Sequence, residues 1–236
     1  ALEVLNSTEE IIIDCCNFTD CYSSLINVAV IHISNDLATI TNNNINFTSN
    51  IDGYSIAGLY IDKHGDIQVI NNKFIKIYSS FNGFAGSSIL FRDNITDNPN
   101  KIVIFNYNLI ENVGDKKLGV FGIYKYHEFN FDHNTVKNCN ISDYSCIIDL
   151  SNNLVFGSEY TLTDHRLIQC ESYCQSGGGF GLWLPFSSNE QNIREGKFTL
   201  RDCLFKDNKC AISRGATLRI GYGGAYGGTP ISDQKR

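Results

Sequence analysis

One short pattern recurs along the whole chain and limits what the chain can fold into. An apolar residue is followed three places later by Asn, Cys or His, and two places after that by a second apolar residue, as in Phe131, Asn134 and Val136. The Asn, Cys or His of the pattern, which we call the anchor, occurs at positions 16, 43, 72, 108, 134, 165 and 203. These spacings of about 26 to 38 residues are typical of stacked repeats joined by variable loops. Asn153 repeats the pattern between two anchors, and we interpret it as half a turn.

A parallel β-helix gives this pattern a physical reason. Equivalent residues in successive coils stack about 4.8 Å apart, which is the normal spacing between strands. An inward-facing Asn at a bend can hydrogen-bond the backbone and the amide of the Asn in the next coil. The predicted ladder residues are Asn43, Asn72, Asn108 and Asn134. Cysteine is small and readily buried, so it fits the same position. A second column is predicted five residues after the anchors, at Cys21, Cys139, Cys170 and Asn208.

The rest of the chain agrees with an all-β fold. Residues 25–33 and 54–61 alternate as strands do, and we find no useful run with a helical period. We predict a right-handed single-stranded parallel β-helix of roughly seven to nine coils, with the handedness taken from the general crossover preference. We expect one domain over residues 1–236, alone or as part of a longer chain or assembly.

Composition excludes several classes of function. A net charge of −6, a pI of about 5.3 and the absence of a basic stripe argue against nucleic-acid binding. No apolar run is long enough to cross a bilayer, so no transmembrane segment is expected. The chain contains no methionine, and no signal peptide is visible at Ala1, which suits a processed or truncated chain. We expect no cofactor, and we expect partners to be further copies, other surface proteins or glycans.

The nine cysteines form local clusters and include no CxxC pair or zinc-like spacing, so no metal site is predicted. Disulfides within or between neighbouring coils are predicted, and buried thiols in the ladder are the alternative. Because the number is odd, at least one cysteine is free or paired outside this chain. The disulfide candidates are Cys15, Cys16, Cys21, Cys139, Cys146, Cys170, Cys174, Cys203 and Cys210.

Five Asn-x-Ser/Thr sequons are candidates for N-glycosylation. They begin at Asn6, Asn17, Asn46, Asn94 and Asn140. A chain so rich in Asn, Ser and Thr would contain several sequons by chance. The sequons are therefore informative only together with the predicted disulfides. Both features indicate a secreted or cell-surface protein of a eukaryote.

Short FxxN elements begin at Phe47, Phe91, Phe105, Phe131 and Phe205, and residues 223–226 form a GGA element. Together they resemble the repeats of the polymorphic outer-membrane (Pmp-like) β-helix adhesins of bacteria and their relatives on protist surfaces. The resemblance extends over most of the chain, although each element has four residues or fewer. It implies a β-helical surface or adhesive protein, and it assigns no catalytic residue.

An enzyme is the alternative, because many β-helices depolymerise polysaccharides. Glycoside hydrolysis needs facing carboxylates, and a lyase needs a calcium-binding acidic cluster beside a basic residue. The polar groups considered are Asp93/Asp97, His127-Glu128, Asp132-His133, Asp164-His165-Arg166 and Arg201-Asp202. None matches a double-aspartate or Gly-His-Gly motif, so no catalytic residue is predicted. We expect an extracellular structural or adhesive glycoprotein that assembles end to end, with a polysaccharide lyase or glycoside hydrolase as the alternative.

Overall fold

The structure is a computed structural model, and the part of the chain that it describes is built from β-strands. The described residues are 2–5, 9–23, 30–34, 37–50, 58–62, 66–79, 89–92, 102–115, 120–124, 128–141, 148–149, 159–172, 180–184, 197–210 and 218–222. Within them, no helix is long and apolar enough to span a membrane.

The strands, numbered β1 to β27 along the chain, form three sheets. Sheet A contains β1 (Leu2–Leu5), β5 (Ile31–Ser34), β8 (Leu59–Asp62), β11 (Ile89–Arg92), β15 (Phe121–Tyr124), β19 (Ile148–Asp149), β23 (Phe180–Leu184) and β27 (Leu218–Tyr222). Sheet B contains β2 (Ile11–Asp14), β6 (Ala38–Thr41), β9 (Ile67–Ile70), β12 (Ile102–Asn106), β16 (Glu128–Asp132), β20 (Glu159–Thr163) and β24 (Lys197–Arg201). Sheet C contains β3 (Asn17–Thr19), β4 (Tyr22–Ser23), β7 (Asn44–Asn50), β10 (Lys73–Ser79), β13 (Leu109–Glu111), β14 (Gly114–Asp115), β17 (Thr135–Lys137), β18 (Asn140–Ile141), β21 (Arg166–Ile168), β22 (Glu171–Ser172), β25 (Leu204–Lys206) and β26 (Lys209–Cys210).

The chain visits sheets A, B and C in turn, and each strand pairs in parallel with its equivalent in the next coil. In sheet A, Leu2 is in register with Ile31, and Ile31 is in register with Leu59. The described strands make seven such coils and the first strand of an eighth. The predicted all-β parallel β-helix is confirmed, whereas its right-handed sense stays a prediction.

Alternation along the strands builds the core. In β12, Val103 and Phe105 are fully buried while their neighbours on either side are half-buried. Phe105 lies at the centre of an aromatic stack, with its ring centroid 5.3 Å from that of Phe131 in the next coil and 6.2 Å from that of Phe74 in the previous one. Burying a phenylalanine contributes about 2–3 kcal/mol, and each well-oriented ring pair adds about 0.5–1.5 kcal/mol. The middle coils are therefore the best-packed described part of the solenoid.

All seven coils have a first bend, and six of them a second bend, that contains a residue in the left-handed backbone region. At the first bend, between sheets B and C, the residue before every anchor has a positive φ: Cys15, Asn42, Asn71, Tyr107, His133, Asp164 and Asp202. At the second bend, within sheet C, the same conformation occurs at Asp20, Lys76, Asn112, Asn138, Gln169 and Asp207. The next residue then points inward, which is how the chain turns while keeping its core columns aligned.

The predicted ladder occupies the first bend. The Oδ1 atom of Asn108 accepts hydrogen bonds from the backbone N–H of Asn72 at 2.8 Å and from its side-chain amide at 3.1 Å. The Nδ2 atom of Asn108 donates to the backbone oxygen of Val69 at 2.8 Å. Asn43, Asn72 and Asn134 likewise donate from Nδ2 to a backbone oxygen of the previous coil. All four ladder residues are buried. The ladder is confirmed.

The residues of the second column form similar hydrogen bonds to the previous coil at the second bend. Asn208 accepts from the backbone N–H of Cys170 at 2.9 Å and donates to the backbone oxygen of Leu167 at 2.9 Å. Cys139 and Cys170 direct their thiols at the equivalent oxygens of Ile110 and Val136. The second column predicted from the cysteine spacing is thus present in the structure.

Candidate functional site

The first bend of coils four to seven carries a stack of exposed polar and aromatic side chains. In chain order these are Tyr107, His133, Asp164 and Asp202, one from each coil. Each lies directly before an anchor, so its left-handed backbone turns its side chain outward while the anchor turns inward. We use the name polar corner for three members of this stack, Tyr107, His133 and Asp164, together with Asp132.

His133 is the centre of the polar corner. Its Nδ1 atom lies 2.9 Å from Oδ2 of Asp132, and its Nε2 atom lies 3.4 Å from Oδ2 of Asp164. The imidazole also stacks on the ring of Tyr107, with the centroids 4.7 Å apart and the planes at 20°. One imidazole therefore joins carboxylates from two successive coils and an exposed aromatic ring from a third.

The backbone holds these groups in place. The N–H of His133 donates to the oxygen of Thr163 at 2.9 Å, and the N–H of Asp164 donates to the oxygen of Arg201 at 3.1 Å. Asp132 receives a further restraint, since its N–H donates to Oδ1 of Asn106 at 3.0 Å. Hydrogen bonds between successive coils therefore fix the position of the polar corner, which does not depend on a long loop.

The polar corner has two chemical capacities. Asp132, His133 and Asp164 each offer one ligand atom, and the three atoms lie within 4.8 Å of one another, so a divalent cation is one group that they could hold. The Oδ1 atom of Asp132 is buried and has no hydrogen-bond partner among the described residues. An imidazole between two carboxylates is also suited to moving a proton.

A second polar group lies at the same bend in the first coil. Asp14 accepts hydrogen bonds from Oγ1 of Thr41 at 2.7 Å and from Nδ2 of Asn42 at 2.8 Å. These bonds, together with one from the Cys15 thiol, lower the pKa of Asp14. The bond to Asp14 in turn raises the pKa of Cys15. This group joins two coils at the surface, and we assign it a structural role.

The other polar groups considered from the sequence have different outcomes. Asp93, Asp97 and His127 lie outside the described residues. His165 points inward, is fully buried, and has its pKa lowered to about 3 because burial disfavours the charged imidazole. Arg201 and Asp202 form an exposed ion pair at 3.7 Å.

The cysteine and glycosylation candidates have different environments. Cys15, Cys16, Cys21, Cys139, Cys170 and Cys203 are free thiols in the structure. Cys146 and Cys174 lie outside the described residues, and the side chain of Cys210 is not described. Among the sequon residues, Asn17 and Asn140 are exposed, Asn46 is half-buried, and Asn6 and Asn94 lie outside the described residues. The disulfides and glycans stay predictions.

The FxxN elements do not occupy one equivalent place in the coil. Phe105 and Phe131 precede first-bend anchors, whereas Phe205 precedes the second-bend residue Asn208, and Phe91 is buried in sheet A. Asn94 is outside the described residues, and the side chains of Phe47 and Asn50 are not described. For Phe105, Phe131 and Phe205, the FxxN spacing therefore follows from bend asparagines that make the same kind of hydrogen bonds.

No protein-family model, no curated protein and no solved structure matches this chain. The parallel β-solenoid itself is what the structure establishes.

Proposed function

We propose that this chain is a structural or adhesive β-helix module of an extracellular surface, similar in role to the Pmp-like adhesins, and that it assembles end to end. The observation that carries the proposal is the pair of terminal strands of sheet A. Within the described residues, β1 pairs only with β5, and β27 pairs only with β23. An edge strand with unpaired backbone groups is a template for another strand.

The register of sheet A supports pairing between these two strands in different copies. Following the strand partners from coil to coil places Leu2 and Leu218 in one column, and Glu3 and Arg219 in the next. Parallel pairing of β27 with β1 of a second copy would continue an apolar column and set opposite charges side by side. Opposite charges on neighbouring strands favour pairing, and like charges oppose it.

Apolar side chains are also exposed in both end coils, and one of them has equivalents in the middle coils that are covered. Leu200 belongs to the inward-facing column of Phe105 and Phe131, yet it is 37% exposed, whereas both phenylalanines are fully buried. In the first coil, Leu5 and Ile12 are exposed. Apolar exposure at both ends favours addition of further coils.

The testing experiment is negative-stain electron microscopy of the purified, non-reduced protein. We expect filaments with a regular axial repeat. Glu3→Arg alone and Arg219→Glu alone should each give short particles by placing like charges together, and the double variant should restore filaments. Glu128→Arg makes the same charge change at an exposed position on β16 in the middle of the stack and should leave filaments intact. Short monomeric particles of the unaltered protein at high concentration would overturn end-to-end assembly.

An extracellular location is supported by the placement of two sequons. Asn17 and Asn140 are exposed on short strands of sheet C, where an attached glycan extends into solvent. Asn46 is less suited, because it is half-buried and its Oδ1 atom is covered. Protein from a eukaryotic secretory host should carry N-glycans on Asn17 and Asn140, as read by mass spectrometry of glycopeptides. Unmodified peptides at both sites would contradict the surface assignment.

A polysaccharide-cleaving enzyme is the second candidate, and the polar corner is the observation that favours it. Two carboxylates and an imidazole from successive coils lie beside the exposed ring of Tyr107, which could stack on a sugar. An enzyme of this kind should release new chain ends from acidic or neutral polysaccharides. His133→Asn should abolish that release, while Asp202→Asn, one coil away from the carboxylate of Asp164, should not. No release from a broad panel of polysaccharides would remove this candidate.

A further inference from the structure

Cys139 and Cys170 hold the same position in adjacent coils. Asn140 is in register with Glu171, so the two cysteines directly before them are neighbours across the strand pair. The N–H of Glu171 donates to the backbone oxygen of Cys139 at 2.8 Å, which fixes this register at the cysteines themselves. Both side chains point inward and are 1% exposed.

The two thiols also contact each other. The two thiols influence each other's pKa, and burial raises the pKa of Cys139. Each sulfur also lies near two backbone oxygens. Cys139 is 3.3 Å from the oxygen of Lys137 and 3.9 Å from that of Ile110, and Cys170 is 3.4 Å from that of Ile168 and 3.8 Å from that of Val136. A thiol is a weak hydrogen-bond donor, so these contacts oppose a change in the sulfur positions only weakly.

We propose that Cys139 and Cys170 form a disulfide between coils five and six when the protein folds in the presence of a small-molecule disulfide such as oxidised glutathione. Strands in a sheet are about 4.8 Å apart, which lies within the Cα separation of roughly 4.4–6.8 Å that disulfides span. Among the described cysteines, these two are the single pair that shares a column in adjacent coils.

The reaction is a two-step exchange. A thiolate of one cysteine attacks a sulfur of the small disulfide and releases one small thiol, which leaves a mixed disulfide on the protein. The other cysteine then attacks the protein sulfur of that mixed disulfide and releases the second small thiol. The two cysteines together lose two electrons and two protons, and the small disulfide is reduced to two thiols.

Burial determines when this exchange takes place. At 1% exposure, neither sulfur is open to attack in the folded coil stack, so the mixed disulfide must form before coil six closes on coil five. The folded, reduced protein should therefore resist oxidation, whereas the refolding chain should acquire the bond. This pairing goes beyond the proposed function. Its test does not depend on end-to-end assembly, since it can be carried out on single particles and on filaments alike.

The test is to refold the reduced full chain in a glutathione redox buffer, block free thiols by alkylation, and map the peptides by mass spectrometry. We expect a peptide pair linked through Cys139 and Cys170. The bond closes a loop of one coil, so the melting temperature should rise by roughly 5–15 °C over that of the reduced protein. Cys170→Ser should abolish the rise. Cys203→Ser, at a first-bend cysteine with a similar bond to the oxygen of Leu162, should preserve it.

Two results would overturn the proposal. One is recovery of Cys139 and Cys170 in alkylated form after refolding, and the other is a map that links either of them to a different cysteine. The map is read on the unaltered protein, so it does not depend on whether the serine variants fold. Filament formation or glycan binding by the same sample has no bearing on this outcome.

Discussion

The Nδ1 atom of His165 lies 3.1 Å from the backbone oxygen of Asn134, at the point where the asparagine ladder gives way to another residue type. Because an oxygen can only accept, Nδ1 carries the proton and donates it. The imidazole meets the Phe131 ring edge-on, with the centroids 4.6 Å apart. Its Nε2 atom is buried without a hydrogen-bond partner among the described residues. The column of buried anchors therefore continues from Asn134 to a neutral, fully buried histidine, with a different hydrogen bond.

This histidine should make stability depend on pH. Its pKa is lowered from the usual 6.5 to about 3 by burial, so the unfolded chain binds a proton that the folded chain does not. The stabilisation is complete above pH 6.5 and is lost as the pH falls towards 3. Between pH 7 and pH 5 we expect a loss of roughly 2 kcal/mol in the free energy of unfolding.

Chemical denaturation at several pH values measures this loss. His165→Asn removes the titrating group and offers a ladder amide, so its free energy of unfolding should change little between pH 7 and pH 5. His133→Asn, which alters an exposed imidazole, is the matched control and should keep the loss caused by His165. An equal loss of stability in the His165→Asn variant would show that other groups are responsible.

Asn108 tests the ladder directly. Replacing it with leucine removes the acceptor of the Asn72 N–H and the donor to the Val69 oxygen, and both backbone groups are inside the solenoid. We expect Asn108→Leu to lower the free energy of unfolding by about 1–3 kcal/mol. Asn44→Leu is the matched control, since Asn44 faces outward and bonds to Asn17 at an exposed site, and it should change stability by less than about 0.5 kcal/mol. Equal stability of both variants would contradict an energetic role for the ladder.

The anchor column could be predicted from the sequence because its chemistry is restrictive. A buried Asn such as Asn72 must satisfy its amide inside the core, and the axial stack is the arrangement that does so in the four coils with an asparagine anchor. Once the anchors are known, small side chains that hydrogen-bond backbone oxygens, such as Cys139 and Cys170, could be placed five residues after an anchor. Sheet A could not be aligned in the same way, because the loops before strands such as Phe121–Tyr124 vary in length.

The polar corner was not predicted, although the anchors contain the information. His133 and Asp164 each precede an anchor, so aligning the coils by their anchors places these two residues in one column. Each polar group taken by itself matches no catalytic motif, so the separate groups give no sign of a shared site. Residue type gives no signal for the left-handed backbone at Tyr107, Lys76 or Gln169, because most side chains avoid that region. Stacking of neighbouring coils imposes the conformation there.

Gln169 provides a test of that imposed conformation. It is exposed and has a φ of 52°, which costs a residue other than glycine, asparagine or aspartate about 1 kcal/mol. Gln169→Asn should relieve part of this cost and raise the free energy of unfolding by about 0.5 kcal/mol. Lys206→Asn is the control, because Lys206 is exposed on β25 and asparagine is disfavoured in strands. The control should lose stability, and a loss of similar size at Gln169 would contradict the strain.

At Gly114, the exposed ring of Tyr78 in the previous coil disfavours any side chain larger than that of glycine. A Cβ atom added at Gly114 would lie 3.0 Å from Cδ1 of Tyr78, its register partner in the previous coil. We expect Gly114→Ala to lower the free energy of unfolding by about 0.5–1 kcal/mol, since Tyr78 is half exposed and its ring can move aside. In a Tyr78→Ser background the same change should cost less, because the serine side chain ends before the point of overlap. A double-mutant cycle measured by denaturation gives the coupling between the two sites, and purely additive effects would mean that the ring does not restrict position 114.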